Sequence, residues 1–171
     1  GNVSLSGVVD AETDLTVVSG DVVKVVGVLP TNATIASQSQ LIAGDKLAVT
    51  SKADMLLAAS SLLSGASVTV NAGEDASLLG VMGTEADADL GLANTLSLSA
   101  AAGADITLSA AMLADNTISV ASGQGNSKDG GITGDLYAQL TVTEANARIT
   151  LTAGQYGGHI TLDQSAVTAA S

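Results

Sequence analysis

Chemistry in this chain, if any, rests on a few oxygen ligands and one imidazole. Glu74-Asp75 and Glu85-x-Asp87-x-Asp89 lie about ten residues apart near two consecutive turns, and hard carboxylate oxygens grouped in this way suit Ca²⁺. The spacing does not meet the EF-hand pattern, because Leu90 stands where the turn glycine belongs and no glutamate closes the loop. The Gly-Gly-x-Gly-x-Asp repeat of calcium-binding β-rolls is absent as well. A solvated acidic edge is the plainer account of the same residues. His159 is the only histidine, and nothing in the sequence sets a nucleophile or an orienting acid beside it, so triad chemistry has no support. Two carboxylates could serve a glycosidase, but five cations and two tyrosines leave little to bind or stack a sugar. The sequence therefore implies no enzyme, no catalytic residue and no cofactor other than Ca²⁺.

The elements that must position these groups are short strands. Asn146 to Ala166 carries Ile149-Thr150-Leu151 and Ile160-Thr161-Leu162, separated by a glycine-rich turn. An aliphatic residue alternating with a small polar one marks a strand with one buried face. The same phrase recurs as Val3-Ser4-Leu5, Val23-Lys24-Val25, Leu47-Ala48-Val49, Val68-Thr69-Val70, Leu96-Ser97-Leu98, Ile106-Thr107-Leu108, Ile118-Ser119-Val120 and Leu140-Thr141-Val142. Positions 3, 25, 47, 68 and 90 form one series at steps of 21 or 22 residues, and 96, 118, 140 and 160 a second at 20 to 22. A fixed period in this range signals a repeat architecture. The fold expected is all-β, a parallel β-helix or β-solenoid with rungs of about 22 residues, in one domain over residues 1–171 with an inserted loop at 122–135. Strand phrases also recur at half that interval, which suits an antiparallel β-sandwich; that is the alternative. On the solenoid reading Lys24 and Lys46 stack beside Asp21 and Asp45. The segment Asp54 to Leu63 reads either as a short helix or as a Leu/Ala-rich side of the coil.

Composition narrows the options. Hydrophobic residues make up 46% of the chain, yet there is no Phe or Trp, so the interior must be narrow and filled by Val, Leu, Ile and Ala rather than by rings. Nineteen glycines against one proline imply turns made by Gly with Asp or Asn, as in Gly44-Asp45 and Gly103-Ala104-Asp105. A net charge of -12 opposes nucleic acid and anionic lipid, and no apolar run approaches the ~20 residues of a membrane helix. Without cysteine there is neither a disulfide nor a thiolate metal site. Gly1 opens directly onto a strand phrase, as expected of a mature form or an excised piece. Asn2-Val3-Ser4 and Asn32-Ala33-Thr34 match the glycosylation acceptor pattern, a weak signal in so Ser/Thr-rich a chain.

Ala104-Asp105-Ile106-Thr107-Leu108-Ser109-Ala110, Asn116-Thr117-Ile118-Ser119-Val120-Ala121-Ser122-Gly123 and Gly158-His159-Ile160-Thr161-Leu162 together resemble the haemagglutinin-type repeats of large secreted bacterial adhesins, the filamentous-haemagglutinin class. The resemblance spans Leu90 to Ser171 and extends loosely over the first half. It implies a right-handed parallel β-helix, export, and an elongated secreted or cell-surface role. The expected function is non-enzymatic: a structural or adhesive subunit, or repeat unit, of a filament, sheath or stalk joined end to end through strand contacts. Its partners would be copies of itself, with a cell-surface glycan or protein as a further ligand. Two alternatives are a β-sandwich subunit of a pilus-like or tubular assembly using strand donation, and a Ca²⁺-dependent carbohydrate-binding module.

Overall fold

The computed structural model describes residues 1–25, 39–58, 61–83, 93–100, 104–109, 111–123, 130–154 and 158–169. These residues form nineteen strands, numbered in chain order, and no helix. Each strand pairs in parallel with strands of other layers, and the pairing sorts them into three columns. Column one holds β1 (Val3–Leu5), β4 (Val23–Val25), β7 (Met55–Leu57), β10 (Ala76–Leu78), β13 (Ile106–Leu108), β15 (Ile132–Gly134) and β18 (Ile160–Leu162). Column two holds β2 (Val8–Ala11), β5 (Ser39–Ala43), β8 (Ser61–Ser64), β11 (Val81–Met82), the first part of β14 (Ala111–Ala121), β16 (Gln139–Val142) and β19 (Ala166–Ala169). Column three holds β3 (Leu15–Ser19), β6 (Lys46–Ser51), β9 (Ser67–Ala72), β12 (Ala93–Ala100), the second part of β14 and β17 (Arg148–Thr152).

Alternation explains why these strands hold. In β9, and in β12 from Thr95 onward, every second residue is buried, and parallel in-register pairing puts like on like: Leu47 beside Val68, Val68 beside Leu96, Leu96 beside Ile118, Ile118 beside Ile149. In column two Leu41, Leu63, Met82, Met112 and Leu140 continue one another in the same way. Inward residues of all three columns join one core cluster, from Val23 and Leu41 to Ile132 and Val142. A fully buried Val, Leu or Ile contributes about 1.5–3 kcal/mol, and the core is built by repetition of that aliphatic contact without Phe or Trp.

The antiparallel sandwich does not stand, because every pairing is parallel. The regular interval is corrected as well. Paired residues lie from 19 positions apart, Leu62 to Val81, to 32, Val23 to Met55. The steps Leu47 to Val68 and Leu96 to Ile118 are true neighbours, but Val25 stands between Leu5 and Leu57 in column one. Leu140 pairs with Met112 and Val167, and Ile160 pairs with Ile132. Lys24 and Lys46 do not stack: Lys24 lies beside Ser4 and Leu56, Lys46 beside Ser67. Asp21 and Asp45 are likewise apart, their main chains bonded to Lys52 and Ala53 in one case and to Thr13 and Ser67 in the other. The stretch from Asp54 to Leu63 holds β7 and β8 rather than a helix. Of the expected loop at 122–135, Ile132–Gly134 is strand and residues 124–129 lie outside the described residues.

Candidate functional site

The residue just before each column-one strand falls into a single row: Asn2, Val22, Asp54, Asp75, Asp105, Gly131 and His159. Two sets of bonds tie the row from layer to layer. Main-chain N–H groups of Val23, Met55, Ala76, Ile106 and Ile132 donate to the carbonyls of Asp54, Asp75, Asp105, Gly131 and His159 at 2.9–3.1 Å. The carboxylates reach in the same direction. Asp54 Oδ1 accepts the Asp75 N–H at 3.3 Å, Asp75 Oδ1 the Asp105 N–H at 2.8 Å, and Asp105 Oδ1 the Gly131 N–H at 2.7 Å. Three carboxylates at strand spacing of roughly 4.8 Å repel one another; each amide dipole offsets part of that by meeting an ionised oxygen.

Beside this row lies a surface hollow of about 380 Å³ lined by Val22, Lys24, Asp54, Met55, Leu56, Asp75 and Ser77. One ammonium and two carboxylates at its edge suit a small polar or charged group. It offers no aromatic platform for a sugar ring and no nucleophile–base pair.

Of the expected Ca²⁺ ligands, Asp75 sits in the row and Glu74 beside it, with the Glu74 N–H bonded to the Ala53 carbonyl at 3.3 Å. Glu85, Asp87 and Asp89 lie outside the described residues. Among the described residues no group of three or more His, Cys, Asp or Glu side chains is placed to hold a metal ion. Sequence reasoning missed Asp54 and Asp105 as neighbours of Asp75. The signal was present: each is the Asp that immediately precedes a column-one strand, in Asp54-Met55, Asp75-Ala76 and Asp105-Ile106. His159 is exposed at the end of the row, its carbonyl accepting from Ile132.

A second feature lies at the other end of column one. Asp135 is held by the Ser109 hydroxyl, which donates to Oδ2, and by the Tyr137 N–H, which donates to Oδ1 at 2.8 Å. Its carbonyl accepts from Ser165 Oγ and the Ala138 N–H. The turn so fixed presents Leu136 and Tyr137, 52% and 64% exposed. The Ser109 hydroxyl first, then the Tyr137 amide, favour the ionised carboxyl and hold its pKa below the ordinary aspartate value. A lowered folded-state pKa gives stability that is present above about pH 4 and lost as pH falls through the folded value. In Ser109→Ala the Asp135 carboxyl is expected to titrate closer to an ordinary aspartate by NMR, and acid below pH 4 to destabilise that variant less than the wild type. Identical Asp135 titration in the two proteins would show that the Ser109 bond does not matter.

The outer face of column three carries two lines of uncharged side chains beside a third that holds Lys46 and Arg148. Thr69, Ser97, Ser119 and Thr150 stand in one line, and Thr50, Asn71, Ser99, Ala121 and Thr152 in the next. Thr95 Oγ1 donates to Ser67 Oγ at 3.1 Å and Ser99 Oγ to Asn71 Oδ1 at 2.7 Å. Thr141, in column two, belongs to a different face from Thr150 and Thr152.

No family model, curated protein or solved structure matches this chain.

Proposed function

We propose that this chain is a non-enzymatic structural and adhesive element, wound as a parallel β-helix and joined end to end to copies of itself through strand contacts, on or outside the cell surface. The observation that carries the reading is the state of the two rims. Inward residues of the middle layers, such as Val49, Leu63, Val70 and Met112, are 0% exposed. Their counterparts in the outermost layers are open: Ile160 is 43% and Val167 48% exposed, and Val3, Leu5, Val9, Leu15 and Val17 are only partly buried. Among the described residues both rims thus join uncovered aliphatic side chains to unpaired strand edges, the combination that templates further strands. Solenoids that remain single carry polar terminal caps.

The likeness of residues 90–171 to filamentous-haemagglutinin repeats supports an extracellular setting. The two uncharged lines on the outer face of column three support adhesion, since a neutral glycan or protein surface can approach them without facing the carboxylates that give the chain its charge of -12. Sedimentation velocity across micromolar to millimolar protein, with negative-stain microscopy of the same samples, tests the assembly. Mass rising with concentration and thin filaments are expected; a monomer throughout would sink the proposal.

A further inference from the structure

We infer that the joint is head-to-tail: the far rim, β18 and β19, takes the near rim, β1 and β2, of a second copy, and growth is open-ended. This rests on the end-to-end reading above and adds its polarity.

The main chain supplies the first argument. In column one the inward residue's N–H always donates to the next layer, from Val3 to the Val22 carbonyl, from Val23 to Asp54, and so on to Ile132 and His159. Among the described residues β18 pairs only with β15, and β1 only with β4. By the same alternation the Ile160 N–H faces away from the stack at one rim, and the Asn2 carbonyl faces away at the other. The two rims therefore carry the two halves of the bond that already joins each layer to the next.

Side chains agree with the backbone. Placed one layer beyond β18, Val3 and Leu5 of a second copy meet Ile160 and Leu162, continuing the register Ile106, Ile132, Ile160. In column two Val9 and Ala11 meet Val167 and Ala169, continuing Met112, Leu140, Val167. Among the described residues β17 is the last strand of column three, one layer before β18 and β19. There the second copy's Asp14 faces Arg148 across two strand spacings, roughly 10 Å, within reach of attraction at ordinary salt. The reverse, near rim on near rim, would bring the exposed Asp10, Glu12 and Asp14 of both copies together. Unlike ends that meet without closing a ring build a filament.

Proline blocks a strand edge without disturbing its own ladder when its nitrogen faces the free side. Ser4 and Asp10 present such nitrogens at the near rim, Leu162 and Val167 at the far rim. Ser4→Pro/Asp10→Pro and Leu162→Pro/Val167→Pro would be compared with the full wild-type chain by sedimentation velocity, with circular dichroism confirming the fold of each. The wild type is expected to grow without stopping at a dimer, each double variant alone to remain monomeric, and an equimolar mixture of the two to form one heterodimer and stop. A homodimer from either double variant, or a wild type that stops at a dimer, would overturn the polarity while leaving self-association intact. A wild type that stays monomeric would overturn the proposed function and the polarity with it.

Discussion

Leu98→Asp is expected to unfold the centre of the stack, whereas Ser97→Asp, one residue away, should change stability by no more than about 0.5 kcal/mol. Leu98 is 1% exposed and lies between Val70 in one layer and Val120 in the next. Truncation to Ala would remove those contacts and leave a void at a cost of about 2–5 kcal/mol. Asp adds an ionised group with no partner in a wall of aliphatic carbon, and a chain of this size holds only about 5–15 kcal/mol in reserve. Because each layer leans mainly on its neighbours, the loss separates the layers on either side. Ser97 points outward between Thr69 and Ser119, where a carboxylate stays in water. Thermal and urea melts of both variants check the contrast. Equal tolerance at 97 and 98 would mean that the inward and outward sets have been assigned the wrong way round.

Gly83→Ala is the second large effect. Gly83 directly follows β11 with φ +99°, and a Cβ there would stand 2.0 Å from the Leu113 carbonyl oxygen. Its N–H donates to the Leu63 carbonyl at 2.9 Å, so it cannot swing away without losing that bond. Left-handed backbone alone costs an L-residue roughly 1–2 kcal/mol; the collision with β14 should raise the total to about 3 kcal/mol or more, in the tail of single-substitution effects. Gly7 provides the control, with φ +94° and nothing within 4 Å of the added carbon. Gly7→Ala should therefore show the conformational cost only. At about 2–4 °C per kcal/mol for a chain of this length, the melting temperatures of the two variants should separate by several degrees. Equal melting temperatures would show that β11 and β14 are not as close as described.

The candidate site was partly readable in advance. Glu74 and Asp75 stand out by their chemistry, but the row that holds Asp75 does not, because its members Asp54, Asp75 and Asp105 are 21 and 30 residues apart. A search for ligands near in sequence cannot find carboxylates that become neighbours only through stacking. The Asp135 turn was hidden for the same reason: its Ser109 and Ser165 partners come from the layers on either side.

Outside Asp54 to Leu63, residue types and alternation by themselves determined that the chain is made of strands, that each has one inward aliphatic face, and that the interior is aliphatic. These follow from the two-residue period of an extended backbone and from the absence of Phe and Trp, both local properties. Tertiary structure alone decided which phrase lies on which. Val25 and Leu47 look like successive members of one series, yet they belong to column one and column three. The corners between strands take up different lengths of chain, so the interval between neighbours varies from 19 to 32 residues. A corner can lengthen without disturbing the pairing of the strands on either side of it, and strand composition therefore carries no record of how much chain lies between.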